Sequence, residues 1–247
     1  MDINLETYLI DQLDDVSLRR KNQVDFIKSL PQLEQKSSAW FEMRNSCITA
    51  TAVSEIMDES PYNTPTNVLL DKCGLPKEFI QNEFVHHGNK FEEIVSLCYS
   101  YRNNVRVDEY GLVKHEKYDF IGASPDGICY DTINIGQGKS KLVGRLIEIK
   151  CPFKRKIITE GEIDDVICPH YYYLQVHTQL HVTNLDECDF VQCDIKEYSS
   201  YEEFIADSEP NQNFISVSSK NEKGIIIQLL PKNKWDTKNS GLFESKY

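Results

Sequence analysis

Between residues 82 and 102 the apolar side chains Phe84, Phe91, Ile94, Val95, Cys98 and Tyr101 recur at three- and four-residue steps, which predicts a long helix with one buried stripe. Leu5, Tyr8, Leu9 and Leu13 repeat that spacing, so residues 1–30 read as one or two helices. Residues 31–38 form a linker, and short helices are expected over 49–57 and 66–73 with a Pro-containing loop between them. The period then changes. Strands are expected near 105–114, 120–123, 127–130 and 142–150, with 133–141 as a hairpin connection. Pro169 suits the first position of a helix running to about Val182. A strand over 189–198, a helix over 201–207 and a strand over 224–230 follow. Mixed helices and strands without repeats or low-complexity tracts predict an α/β fold, a central mixed sheet flanked by helices.

One strand carries chemistry. In Arg145-Leu146-Ile147-Glu148-Ile149-Lys150, alternation sends Ile147 and Ile149 into a core and leaves Glu148 and Lys150 together on the other face. A lone Glu-x-Lys is usually a surface ion pair. Here the turn Ser124-Pro125-Asp126-Gly127 closes a preceding apolar run and brings a second carboxylate to the strand ends. Two carboxylates beside an ammonium make a hard-oxygen site for a divalent cation such as Mg²⁺, with Mn²⁺ as a substitute.

These residues, with Cys151-Pro152 after them, resemble the PD-(D/E)xK nuclease core, and more narrowly the YqaJ-type viral recombinases and lambda-type exonucleases. Other stretches resemble the same family in order: Trp40-Phe41-Glu42-Met43-Arg44 with Ile48-Thr49-Ala50-Thr51, then Gly88-Asn89-Lys90-Phe91-Glu92, then residues 172–180 with Gln175, His177 and Gln179. The resemblance implies a restriction-endonuclease-like core. It implies Asp126, Glu148 and the Ile149 carbonyl as metal ligands and Lys150 as the residue that orients or deprotonates water. Glu92 would serve a further metal position, with Glu93 as the alternative. Arg44, Thr51 and Ser124 would hold a terminal phosphate; Thr51 stands where the family usually has Ser. His177 replaces the family's middle Gln, leaving Gln175, His177 and Gln179 all open as the contact to phosphate or to a metal-bound water.

The organisation expected is one nuclease domain: residues 1–36 as a helical extension, 37–198 as the core and 199–247 as terminal elements. The resemblance implies a metal-dependent exonuclease acting on linear duplex DNA with free ends, 5′ to 3′, in recombination, repair or replication. It also implies a single-strand annealing partner and, in some relatives, a homo-oligomeric ring. The competing readings are an endonuclease of the same superfamily and a non-catalytic DNA-binding scaffold; the latter would be expected to lack Asp126, Glu148 or Lys150.

Composition modifies this picture in two places. The formal charge of −12 is unusual for a DNA-binding chain, yet residues 157–210 alone hold thirteen Asp or Glu against one Lys. Residues 139–156 hold seven Lys or Arg against one Glu, a basic tract beside the site that reads either as a phosphate-facing patch or as a solvated surface. The eight cysteines lack any Cys-x-x-Cys spacing, which argues against a zinc ribbon and for a reducing compartment. None after Cys193 could complete an iron–sulfur cluster. His177-x-x-x-His181 lacks the intervening Glu of a zinc protease. Trp40 is expected to pack internally rather than stack on a base. With an acidic N-terminus and no long apolar stretch, the chain is expected to be soluble and intracellular, in the cytoplasm, with no membrane partner.

Overall fold

A computed structural model describes residues 15–35, 37–75, 82–131, 141–210 and 212–227. Helix α1 (Asp15–Ser29) is followed by α2 (Ser38–Asn45), strand β1 (Ile48–Thr49) and helices α3 (Ala50–Ile56) and α4 (Pro65–Lys72). Helix α5 (Glu83–Asn103) leads to β2 (Arg106–Asp108), β3 (Val113–Lys114), β4 (Ile121–Ala123), β5 (Gly127–Asp131) and β6 (Leu146–Lys150). Then come α6 (His170–Thr183), β7 (Cys188–Gln192), α7 (Tyr201–Ala206), β8 (Ser208–Glu209) and β9 (Gln212–Ser216). The strands form a sheet ordered β1-β4-β3, a second ordered β2-β5-β6-β7, and the pair β8-β9. Both larger sheets are mixed: β1–β4 and β6–β7 run parallel, while β3–β4, β2–β5 and β5–β6 run antiparallel. The expected mixed sheets flanked by helices are present.

Helix ends follow local chemistry. Asn82 caps α5 by accepting from Val85 N, and Asn104 ends it in the left-handed conformation that Asn tolerates. Thr64 caps α4 ahead of Pro65 at the helix start. Two apolar clusters sandwich the four-stranded sheet. On one face Leu146 and Ile128 meet Val24 and Ile27 of α1 and Val182 of α6. On the other, Ile147 and Ile149 meet Phe91, Val95 and Tyr99 of α5. Each such fully buried apolar side chain contributes roughly 1.5–3 kcal/mol.

Several expected boundaries differ. The strand expected over 105–114 splits because the linker takes up the middle: Gln35 Nε2 donates to the Tyr110 carbonyl at 3.0 Å and Gly111 N donates to Gln32 Oε1 at 3.0 Å. A Cβ on Gly111 would lie 2.5 Å from the Leu33 carbonyl oxygen, so only glycine admits that approach. Strand β7 stops at Gln192 rather than Tyr198, since its partner β6 ends at Lys150 and Pro152 has no N–H to continue the ladder. The strand expected over 142–150 begins at Leu146, and residues 224–227 are not a strand. On α5 the buried row is His87, Phe91, Val95 and Tyr99; Phe84 and Tyr101 are exposed, Phe84 resting edge-on against Phe153. Trp40 is buried, as expected. The expected hairpin at 133–141 and the first apolar repeat, Leu5 to Leu13, lie outside the described residues apart from Lys141.

Candidate active site

Asp126 stands where the chain leaves one sheet for the other. Strand β4 ends at Ala123, residues 124–126 make the step, and β5 starts at Gly127 opposite Ile147 of β6. Gly127 is the first residue of β5, so no β5 residue pairs with β6 beyond Ile147. The Asp126 side chain substitutes for one, its Oδ2 accepting from Ile149 N at 2.6 Å. A strand residue's N–H and C=O point to the same edge, so the Ile149 carbonyl also faces the Asp126 side.

Glu148 is fully buried. Alternation does place it opposite Ile147 and Ile149, but α6 covers that face and supplies polar groups to it. Gln175 Nε2 donates to Oε1 at 2.7 Å and Gln179 Nε2 donates to Oε2 at 2.6 Å. Lys150 also donates to Oε1. A buried carboxylate is tolerable only when paired and hydrogen-bonded, and here every partner comes from two elements, β6 and α6. The Lys150 ammonium lies 4.6 Å from the Tyr172 ring centroid. Burial pushes the Lys150 pKa down, but Glu148 and Asp126 outweigh it and hold the ammonium charged above its ordinary range. Asp126 is pushed well up, first by burial and next by the Glu148 charge; Lys150 opposes the shift and Glu92 adds to it.

Glu92, at an exposed position of α5, therefore lies close enough to act on Asp126, and it also raises Cys151. Of the two acidic candidates on α5, Glu92 is among the charges that raise Asp126. Carboxylates and a carbonyl are oxygen donors of the kind that suits a hard cation, with the ammonium of Lys150 beside them. Among the described residues no ready-made group of three His, Cys, Asp or Glu is gathered as a metal cluster. Both Glu148 oxygens and one of Asp126 accept hydrogen bonds from protein donors.

The three candidates along α6 have different surroundings. Gln175 and Gln179 reach Glu148, whereas His177 is exposed and packs on Tyr173, ring centroids 4.2 Å apart. His181 lies on His115 at 4.6 Å, not on His177. Tyr172, which covers Lys150, escaped the sequence reading. It shares a face with Gln175 and Gln179 at steps of three and four, a spacing that could have found it.

Thr51 and Ser124 stand at one end of a strand pair, and Arg44 lies on the helix that precedes it. Parallel pairing sets Thr49 against Gly122, and Thr51 and Ser124 each follow by two residues, at the same end of β1 and β4. Arg44 belongs to α2 immediately before β1, its guanidinium 5.0 Å from the Trp40 ring. Burial lowers the Arg44 pKa while Glu55 and Asp71 oppose that shift; a guanidinium stays cationic regardless. The Ser124 hydroxyl is buried with no hydrogen-bond partner among the described residues, and so is Gln179 Oε1. Orphaned polar atoms at a site of this kind mark places where a ligand or water supplies the missing bond. Within the basic tract, Arg145 pairs with Glu187 and Asp189 and Lys154 with Glu83, while Arg155 donates to Gln192.

Residues 39–186 match the family model of a YqaJ-like viral recombinase domain. "Uncharacterized protein R354" of Acanthamoeba polyphaga mimivirus is 54% identical over 232 residues, covering 93% of this chain and 42% of that protein. Protein D345L of African swine fever virus (strain Badajoz 1971 Vero-adapted) is 24% identical over 222 residues, covering 79% of this chain and 61% of that protein. The chain thus spans less than two thirds of the length of either relative. Among solved structures, the alkaline exonuclease LHK-Exo of Laribacter hongkongensis is similar at 25% identity with a TM-score of 0.47, covering 64% of this chain and 74% of that one. No helix among the described residues is long and apolar enough to cross a membrane.

Proposed function

The chain belongs to the family of YqaJ-like viral recombinase domains, and from that membership and the Asp126–Glu148–Lys150 geometry we propose that it is a divalent-metal-dependent deoxyribonuclease. Its substrate is linear duplex DNA, degraded from the 5′ end as a single nuclease domain. The observation that carries the reading is the buried Glu148, held between the Lys150 ammonium and two glutamine donors at the edge where Asp126 meets β6. A structural ion pair needs no second carboxylate aimed at the same strand end.

Asp126, Glu148, the Ile149 carbonyl and, on its outer side, Glu92 would hold the cation, Mg²⁺ in this reading and Mn²⁺ as its substitute. The bound cation polarises the phosphoryl oxygen and lowers the pKa of water. Lys150, kept charged by its two carboxylate neighbours, stabilises the negative charge that develops on phosphate and orients the attacking water. Gln175 and Gln179 position Glu148, holding its plane fixed from α6. Arg44, Thr51 and Ser124 grip the terminal phosphate, the guanidinium bidentately and the hydroxyls as donors. An annealing protein that takes up the single strand left behind, and a homo-oligomer that encloses the duplex, belong to the same proposal by family resemblance.

The test is a variant panel on 5′-phosphorylated linear duplex. Asp126→Asn, Glu148→Ala and Lys150→Ala are each expected to lower Mg²⁺-dependent cleavage by at least ~10²–10⁴-fold, the span usual for removing groups that carry charge or protons in the transition state. His177→Ala should leave the rate within about twofold, since its ring faces away from Glu148. Retained cleavage in Glu148→Ala would remove the assignment.

A further inference from the structure

An aromatic ladder leads from the proposed active site to the surface. Tyr172 covers the Lys150 ammonium at 4.6 Å, Tyr171 follows with its ring 4.3 Å from that of Tyr172, and Tyr62 stands edge-on to Tyr171 at 5.4 Å. The last two are tied by a 3.3 Å contact between their hydroxyls. Tyr62 comes from the loop between α3 and α4, so two separate parts of the chain build the outer step, and its ring is 73% exposed. An exposed tyrosine fixed by another tyrosine is a prepared surface rather than a side chain at random.

The surroundings decide what it takes. Beside Tyr171 opens a cleft of about 550 Å³ whose rim carries Glu59, Asp164 and Asp165, with His170 held against Asp164 at 2.8 Å. A phosphate would be repelled there. An uncharged planar ring carrying amino donors would not: its face stacks on tyrosine and its amines meet carboxylates. Of the ligands a nuclease site receives, that description fits a nucleobase and excludes the backbone. We propose that Tyr62 and Tyr171 form a stacking subsite for an unpaired nucleobase at the frayed end of the duplex, with the acidic rim keeping the sugar–phosphate chain outward. The proposal rests on the nuclease reading and names a specificity element for it: preference for ends that can open.

The test uses the full chain with Ca²⁺ in place of Mg²⁺, and with EDTA, on duplex carrying 2-aminopurine as an unpaired terminal base. Stacking quenches its fluorescence, a readout independent of cleavage. Wild type should quench it, and Tyr62→Ala should lose most of the quench and bind that end about tenfold more weakly, in line with the loss of one base–aromatic stack. Tyr62→Phe keeps the ring and its edge-on packing but loses the hydroxyl contact, and should retain most of the quench. Tyr62→Ala is expected to lower cleavage of frayed ends more than of fully paired G·C ends. Undiminished quenching in Tyr62→Ala, or no quenching by wild type in either buffer, overturns the subsite. Quenching that depends on Tyr62 in a protein that never cleaves in Mg²⁺ would instead overturn the nuclease reading and leave the base site standing.

Discussion

Glu148 is the residue on which the molecule's polar chemistry is centred. A carboxylate with no solvent exposure survives at that position because Gln175, Gln179 and Lys150 satisfy it. Gln179→Leu removes the donor to Oε2 and leaves a buried acceptor unpaired, which is expected to cost about 1–3 kcal/mol. Urea denaturation of the metal-free protein measures it; an unchanged midpoint would mean that the Gln179 bond contributes nothing. The alternation of β6 was legible in the sequence, and so was the meeting of Asp126 with Glu148 and Lys150. What the carboxylate touches was not. Period-2 patterning says which residues share a face but not what lies over it, and the two glutamines come from a helix more than two dozen residues away.

At the scale of elements, the site depends on how closely β5 and β6 meet. A Cβ on Gly127 would fall 2.2 Å from Val107 Cγ1 and 3.1 Å from Ile147 Cγ1. Gly127→Ala is therefore expected to cost about 1–3 kcal/mol through overpacking and to lower activity by displacing Asp126. Val107→Ala in the same chain should recover most of the loss, a coupling that a double-mutant cycle in thermal melts reads directly. Helix α1 is fastened to the loop after α6 by Arg20, which donates to Asp186 at 2.8 Å and pairs with Glu187 at 2.9 Å. The Asp186 carboxyl is held below its ordinary value of 3.8, first by the Arg20 hydrogen bond. A carboxylate depressed in the folded state adds stability above its unfolded value and loses it as pH falls through the folded one. Arg20→Met is expected to cost about 1–2 kcal/mol at neutral pH, the upper figures for charged hydrogen bonds being reduced because Asp186 is half exposed. The difference from wild type should shrink below about pH 4, where unfolding titrations would show the two curves converging. Helix α5 was legible from its apolar periodicity, although its buried row shares only Phe91 and Val95 with the expected stripe. The strand expected over 105–114 misread a segment whose backbone bonds go to the linker side chains Gln32 and Gln35, long-range partners that no local pattern reveals.

For the whole molecule, the negative charge and the proposed substrate need reconciling. Within the basic tract Arg145 and Lys154 are paired with acidic residues, which reduces the positive surface beside the site. Affinity would come instead from the cation at the Asp126–Glu148 edge and from the Arg44 corner, both small and both directed at a strand end. Such a molecule should bind poorly along a duplex and act where the duplex stops. The decisive measurement compares 5′-phosphorylated linear duplex with closed circular duplex in Mg²⁺, with EDTA as the control. Loss of the phosphorylated strand from the linear substrate, with circles intact and EDTA abolishing the reaction, is the expected result. Cleavage of closed circles at a comparable rate would contradict end-dependence, and an EDTA-insensitive reaction would contradict the metal site itself.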